Sequence, residues 1–250
     1  MVLKAAIPLA VAFSTVLAAA ATINKRIYLG EEAKEGEFPF IVRLHYEDPT
    51  LLCGGSLLDS TTVLTAGHCQ PKRVTSNKDS GGVVAEVESV VVHPDYKRFI
   101  GEVNNDIAIL KLSTPIQESE IISYAKLPAS GSSPVIGSIA VAAGWGTTGP
   151  LSKGDVSDKL LKVAMPIVDI NSDSCKASSA VQLPDTKVCA VGGGDTGKGD
   201  SGGPLIDQET GQLIGIVSIG PRYTRISSYI RFIDDVNNGI NGVDPRHVTG

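Results

Sequence analysis

Gly199-Asp200-Ser201-Gly202-Gly203-Pro204 can be read in two ways, and each belongs to a different architecture. Taken as G-x-S-x-G, Gly199 to Gly203 matches the strand-to-helix elbow that carries the nucleophile of an α/β-hydrolase esterase. That fold places its base after the serine, where His247 in the tail is the only histidine. It also needs strands alternating with helices. Working outward from Ser201, the chain offers apolar runs of strand length instead. They fall at 40–44, 55–58, 63–66, 83–92, 107–112, 139–143, 162–168 and 213–219. Turn clusters such as Glu47-Asp48-Pro49, Gly144-Trp145-Gly146 and Gly192-Gly193-Gly194 separate them. This spacing predicts an all-β chain of antiparallel sandwiches or barrels. One helical pattern comes late: Ile226, Ile230 and Ile233 recur at helical spacing behind Ser227 and Ser228, residue types that cap helices well.

A serine hydroxyl is a weak nucleophile at neutral pH. It needs a base within hydrogen-bond reach, and the base needs a group that fixes its tautomer. Two further segments supply these: Thr65-Ala66-Gly67-His68-Cys69 and Asn104-Asn105-Asp106-Ile107-Ala108. Ser201 is the expected nucleophile, His68 the base and Asp106 the orienting carboxylate. A lone histidine is usually a surface or satisfied core residue, and His45, His93 and His247 are read that way. His68 differs in lying beside a cysteine at the end of an apolar strand. Asp106 alone could be a turn or cap residue. The glycines around Ser201 let backbone N–H groups converge, and those of Gly199 and Ser201 are the expected oxyanion donors. Asp200, beside the nucleophile, is a costly buried charge unless something pairs with it.

The 250-residue chain has a formal charge of −5 and no long basic run, which argues against nucleic acid. Lys4, the apolar residues 5–17 and the alanines 18–21 read as a signal peptide over 1–20. A membrane anchor fits less well, because the stretch is short and holds Pro8 and Ser14. A propeptide over 21–26 would end at Arg26, before Ile27. The tail, 238–250, is polar and reads as loose. Export favours disulfides among Cys53, Cys69, Cys175 and Cys189, and four cysteines allow three pairings. No C-x-x-C occurs and the histidines are scattered, so no metal is expected.

Together the segments resemble the trypsin/chymotrypsin family of serine proteases, from Ile27 to about Asp235. The markers are Cys53-Gly54-Gly55-Ser56-Leu57, the T-A-G-H-C ending at Cys69, the N-N-D-I-A-I-L ending at Leu110, Gly144-Trp145-Gly146, Cys189-Ala190 and Gly199 to Pro204. The order His, Asp, Ser is also that family's. The resemblance implies two six-stranded antiparallel Greek-key β-barrels packed face to face with a C-terminal helix. The protease domain would span 27–237, with barrels near 27–125 and 126–226 and a helix at 227–237. The implied pairings are Cys53 with Cys69 and Cys175 with Cys189. Cleavage after Arg26 would free the Ile27 amine to pair with Asp200, making activation a switch. Asp195, six positions before the serine, would sit at the base of a pocket for Lys or Arg; its bland reading is a solvated loop acid. Ser218, Ile219 and Gly220 match the strand that binds substrate backbone. The implied partners are polypeptide substrates, protein inhibitors and an activating protease, acting on a secreted extracellular monomer. No cofactor, calcium, nucleic acid or membrane is called for.

The chain departs from the family in places. Ile27-Tyr28-Leu29-Gly30 stands where I-V-G-G is usual. After Gly220 the usual cysteine-bearing loop is missing, and Pro221-Arg222 leads directly into Tyr223. The partner cysteine's place is taken by Gly197, so both halves of that bridge are absent together. Ile219 replaces the usual tryptophan. These changes predict an exposed Asp195 and weakened selectivity. They also keep a second function open, a catalytically weak or inactive homologue that binds partners through the same cleft.

Overall fold

The computed structural model describes residues 30–48, 52–76, 82–99, 102–148, 155–176 and 183–239. The expected signal peptide and propeptide, with Arg26 and Ile27, and His247 in the tail lie outside the described residues. In chain order the strands are β1 (Glu31–Glu32), β2 (Ile41–His45), β3 (Leu52–Asp59), β4 (Thr62–Thr65), β5 (Arg73–Ser76), β6 (Val84–Val92), β7 (Lys97–Phe99), β8 (Glu102–Asn104), β9 (Ala108–Leu112), β10 (Ile139–Gly144), β11 (Leu161–Val168), β12 (Lys187–Ala190), β13 (Pro204–Asp207), β14 (Leu213–Ile219) and β15 (Arg222–Arg225). A 3-10 turn, Ile226–Ser228, leads into the helix α1 (Ile230–Asn237).

Two antiparallel barrels result. The first closes in the order β2-β3-β4-β9-β6-β5. The second runs β11-β10-β13-β14-β15-β12 and closes through β11 with β12, while β1 adds an edge to β11. This architecture has no place for the α/β-hydrolase elbow. Strand β11 shows why the sequence makes these elements. Leu161, Val163, Met165 and Ile167 alternate inward into the second core, while Lys162, Ala164, Pro166 and Val168 face away from it. That period of two is what a sheet with one buried face requires.

The helix differs from its expected start. Ser227 and Ser228 lie in the 3-10 turn, and α1 begins after Tyr229 with no side-chain cap. Their hydroxyls are engaged elsewhere. Ser227 donates to the Ser132 carbonyl at 2.5 Å, and Ser228 accepts from Arg225 Nε at 2.9 Å. The apolar spacing still holds, since Ile226 and Ile233 are fully buried in the core cluster that includes the first barrel. The connection from β14 to β15 is short. There Gly220-Pro221 forms a tight turn, with Ile219 opposite Arg222. Gly220 has φ +56°, the left-handed geometry that hairpin turns of this length demand.

Candidate active site

Strand pairing brings two of the three expected groups together. Thr65 of β4 lies opposite Ala108 of β9, so the corner leaving β4 and the corner entering β9 share one end of the barrel. The first corner carries His68, and the second carries Asp106. His68 Nδ1 lies 2.9 Å from Asp106 Oδ2 and 3.1 Å from Oδ1. The His68 backbone N–H donates to Oδ1 at 3.0 Å. Ser218 Oγ donates to Oδ2 at 2.6 Å, and Thr224 Oγ1 donates to the Asp106 carbonyl at 3.0 Å. Asp106 is fully buried. Burial pushes its carboxyl pKa up, but the His68 and Ser218 hydrogen bonds and the charge of His68 outweigh it. The net result lies below the ordinary value. An ionised Asp106 assigns the His68 proton to Nδ1 and leaves the Nε2 lone pair free to accept one.

Ser201 reaches the same region from the second barrel. Its carbonyl accepts from Gly54 N–H at 2.8 Å, which ties it to β3. The same carbonyl lies 3.7 Å from Cys69 Sγ, a contact rather than a hydrogen bond because that sulfur is oxidised. The structure describes no hydrogen bond between the Ser201 hydroxyl and His68. Bonds of this kind are often open in unliganded sites and tighten with substrate. Around Ser201 the backbone donors are sorted. Asp200, Gly202 and Gly203 donate to Gly197, Val217 and Asp200 carbonyls at 3.1, 2.8 and 2.9 Å. Among the described residues, the N–H groups of Gly199 and Ser201 donate to no protein acceptor. Gly199 has φ +104°, which an L side chain rarely adopts.

Asp200 is buried, and its carboxylate accepts N–H bonds from Gly146 and Gly197 at 2.7 Å each. A Cβ on Gly146 would fall 2.5 Å from that carboxylate, so the glycine in Gly144-Trp145-Gly146 makes the room. Burial raises the Asp200 pKa to about 6 against these two bonds, and nearby Asp195 adds to the rise. The expected counter-charge, the Ile27 amine, lies outside the described residues.

Asp195 is exposed. The Thr196 N–H holds Oδ1 at 2.8 Å. Partial desolvation by the surrounding chain raises its carboxyl pKa, and the Thr196 bond acts against it. Ile219 is half-buried and Gly220 exposed at the hairpin tip. Both disulfides are present, Cys53 with Cys69 and Cys175 with Cys189. Cys53, His68 and Cys69 lie close enough to suggest a metal cluster, but the two sulfurs are bonded to each other and offer no thiolates.

Some neighbours of the site were not legible as such. Ser218 was expected on a substrate-facing strand, yet its hydroxyl serves Asp106. It sits where the β14–β15 register shifts between Val217 and Ile219, and irregularities of this kind re-aim side chains. Thr224, Glu102, Arg222 and Lys187 carried no motif. The one available signal was alternation along β15, where Tyr223 points into the second core and its neighbours therefore point out.

A family model described as Trypsin matches residues 27–240. The chain is also similar to the CLIP domain-containing serine protease B4 of Anopheles gambiae. The two are 33% identical over 257 residues, covering 85% of this chain and 71% of that protein.

Proposed function

The chain belongs to the trypsin family of serine proteases, and from that premise we propose that it is a secreted serine endopeptidase. It hydrolyses peptide bonds after Lys or Arg and is activated by cleavage behind Arg26. The observation that carries the reading is the buried Asp106 carboxylate holding His68 Nδ1 at 2.9 Å. In the proposed cycle Ser201 Oγ attacks the scissile carbonyl carbon as its proton passes to His68 Nε2. The unspent N–H groups of Gly199 and Ser201 receive the oxyanion. His68 then returns the proton to the leaving amine, and water releases the acyl group from Ser201 by the same steps. Asp106 stays ionised and stabilises the imidazolium. The two disulfides fit an oxidising compartment and so support secretion. Ser218, Ile219 and Gly220 are the proposed backbone-binding strand, and Asp195 the group that attracts a basic side chain.

The test is labelling of the form beginning at Ile27 with a fluorophosphonate, followed by digestion of a peptide library. The expected result is adduct at Ser201, loss of labelling in Ser201→Ala, and cleavage after basic residues. Correctly processed protein that leaves Ser201 unlabelled would instead favour a cleft that binds partners without cutting them.

A further inference from the structure

The strand that replaces the missing loop does more than shorten the cleft wall. Tyr223 turns into the core of the second barrel, so Arg222 and Thr224 share the opposite face of β15. Lys187 on β12 stands directly across from Thr224 and shares that face. Arg222 and Thr224 meet the segment that runs into Asp106, and Lys187 acts on it through its charge. Arg222 makes an ion pair with Glu102 at the start of β8, and both side chains are largely removed from solvent, at 7% and 16% exposure. Thr224 holds the Asp106 carbonyl at 3.0 Å. From the other side of the tight turn, Ser218 holds the carboxylate itself at 2.6 Å. One hairpin therefore grips the Asp106 segment at its beginning, its backbone and its charge.

That segment needs holding. Asn105, immediately before Asp106, has φ +50°, a left-handed conformation uncommon outside glycine though more open to Asn than to most residues. Its side chain accepts from Tyr229 OH at 2.9 Å and donates to the Asp95 carbonyl at 2.8 Å. A buried ion pair is a poor source of stability, because desolvation offsets most of its attraction. Its fixed geometry is the better explanation for its presence here. Lys187 is 3% exposed, and its ammonium has no hydrogen-bond partner among the described residues. It contributes charge to the cluster, acting on Asp106 and Glu102, and no fixed direction.

We propose that Arg222 and Glu102 are positioning residues, an ion-pair clasp that locks the strand entering Asp106 to the second barrel and so sets the angle between Asp106 and His68. The inference rests on the protease reading above. It assigns a task in aligning the triad to the two-residue hairpin at Gly220-Pro221, which would otherwise read as a loss.

The test compares the Ile27 form with Arg222→Gln, Arg222→Lys and the uncharged pair Glu102→Leu with Arg222→Met. The single change leaves a buried Glu102 charge unpaired and can fail to fold, whereas the uncharged pair removes both charges and is expected to keep its Tm. In that double variant kcat falls ~10- to 100-fold while KM stays within about two-fold, and Arg222→Lys retains most of kcat. The downfield proton resonance of His68 Nδ1 broadens or moves in the double variant. A folded double variant with the parent's kcat and an unmoved resonance overturns the clasp. Parent protein that fails to label at Ser201 overturns the protease reading instead. In that event the His68 resonance decides the clasp alone: a shift in the double variant supports it, and no shift overturns it.

Discussion

Asp200 is a carboxylate held away from water. Two backbone N–H groups bond it, yet burial still raises its pKa from 3.8 to about 6. Between those values the folded chain holds a proton that the unfolded chain has released. The stabilising effect of that proton is complete below the unfolded value and is lost as pH rises through the folded one. The difference is on the order of 3 kcal/mol. In the uncleaved chain, Asp200→Asn is therefore expected to gain stability relative to the parent as pH rises from about 4 to about 7. Thermal unfolding followed across that range measures it, and a constant difference in Tm would refute it. In the proposed activated form, cleavage behind Arg26 would let the Ile27 amine supply the counter-charge, and Asp200→Asn would then be the less stable form. At this scale the sequence is legible where chemistry demands a particular residue type at a particular spacing: His68 and Asp106 meet as that demand requires, while the role of Ser201 stays part of the proposal. Ser218 was legible as present but not as a donor to Asp106. A hydroxyl's direction depends on a local shift in strand register, which composition does not announce. Glu102 and Arg222 were illegible for a related reason, since charged residues at strand ends usually face solvent.

Elements follow the same division. Strands β11 and β14 were readable because their apolar side chains are many. Strand β5 offers Val74 as its one large apolar residue, and β13 opens with Pro204, a residue tolerated at a strand's first position but rarely suggestive of one. The helix starts later than Ser227 and Ser228 suggest because their hydroxyls bond partners outside the helix backbone. The corner carrying His68 depends on an element-scale device, the bridge from Cys53 on β3 to Cys69. It closes a loop of sequence separation 16 between positions whose Cα atoms are 6.3 Å apart. Removing it in the pair Cys53→Ala with Cys69→Ala should cost about 3 kcal/mol of stability. The corner also abuts the Ser201 carbonyl, so kcat should fall at temperatures where the variant remains folded. Denaturant unfolding and steady-state kinetics on the same preparation separate the two effects. Stability lost with kcat unchanged would show that the bridge braces the barrel without holding His68.

Across the whole molecule, the two barrels were foreseeable from the family resemblance, and the consequence of the shortened hairpin is a matter of dielectric. A carboxylate enclosed by a full pocket wall attracts a cation at about 4 Å with roughly 4 kcal/mol, and one bathed in water with roughly 1 kcal/mol. Asp195 is exposed though partly desolvated by the surrounding chain, and Gly220-Pro221 is all that joins β14 to β15, so its pull lies nearer the second regime. Selectivity for an Arg over a Phe substrate, taken as the ratio of kcat/KM, should then be on the order of five-fold from this charge. Being solvent-borne, it should also fade as salt rises from about 0.05 to about 0.5 M, because the screening length drops below the size of the cleft. Asp195→Asn should bring the ratio close to its high-salt value, leaving only what shape contributes. A ratio of several hundred that ignores salt would mean that other parts of the chain enclose Asp195 when substrate binds. A ratio unchanged by Asp195→Asn would move the basis of selectivity away from this carboxylate altogether.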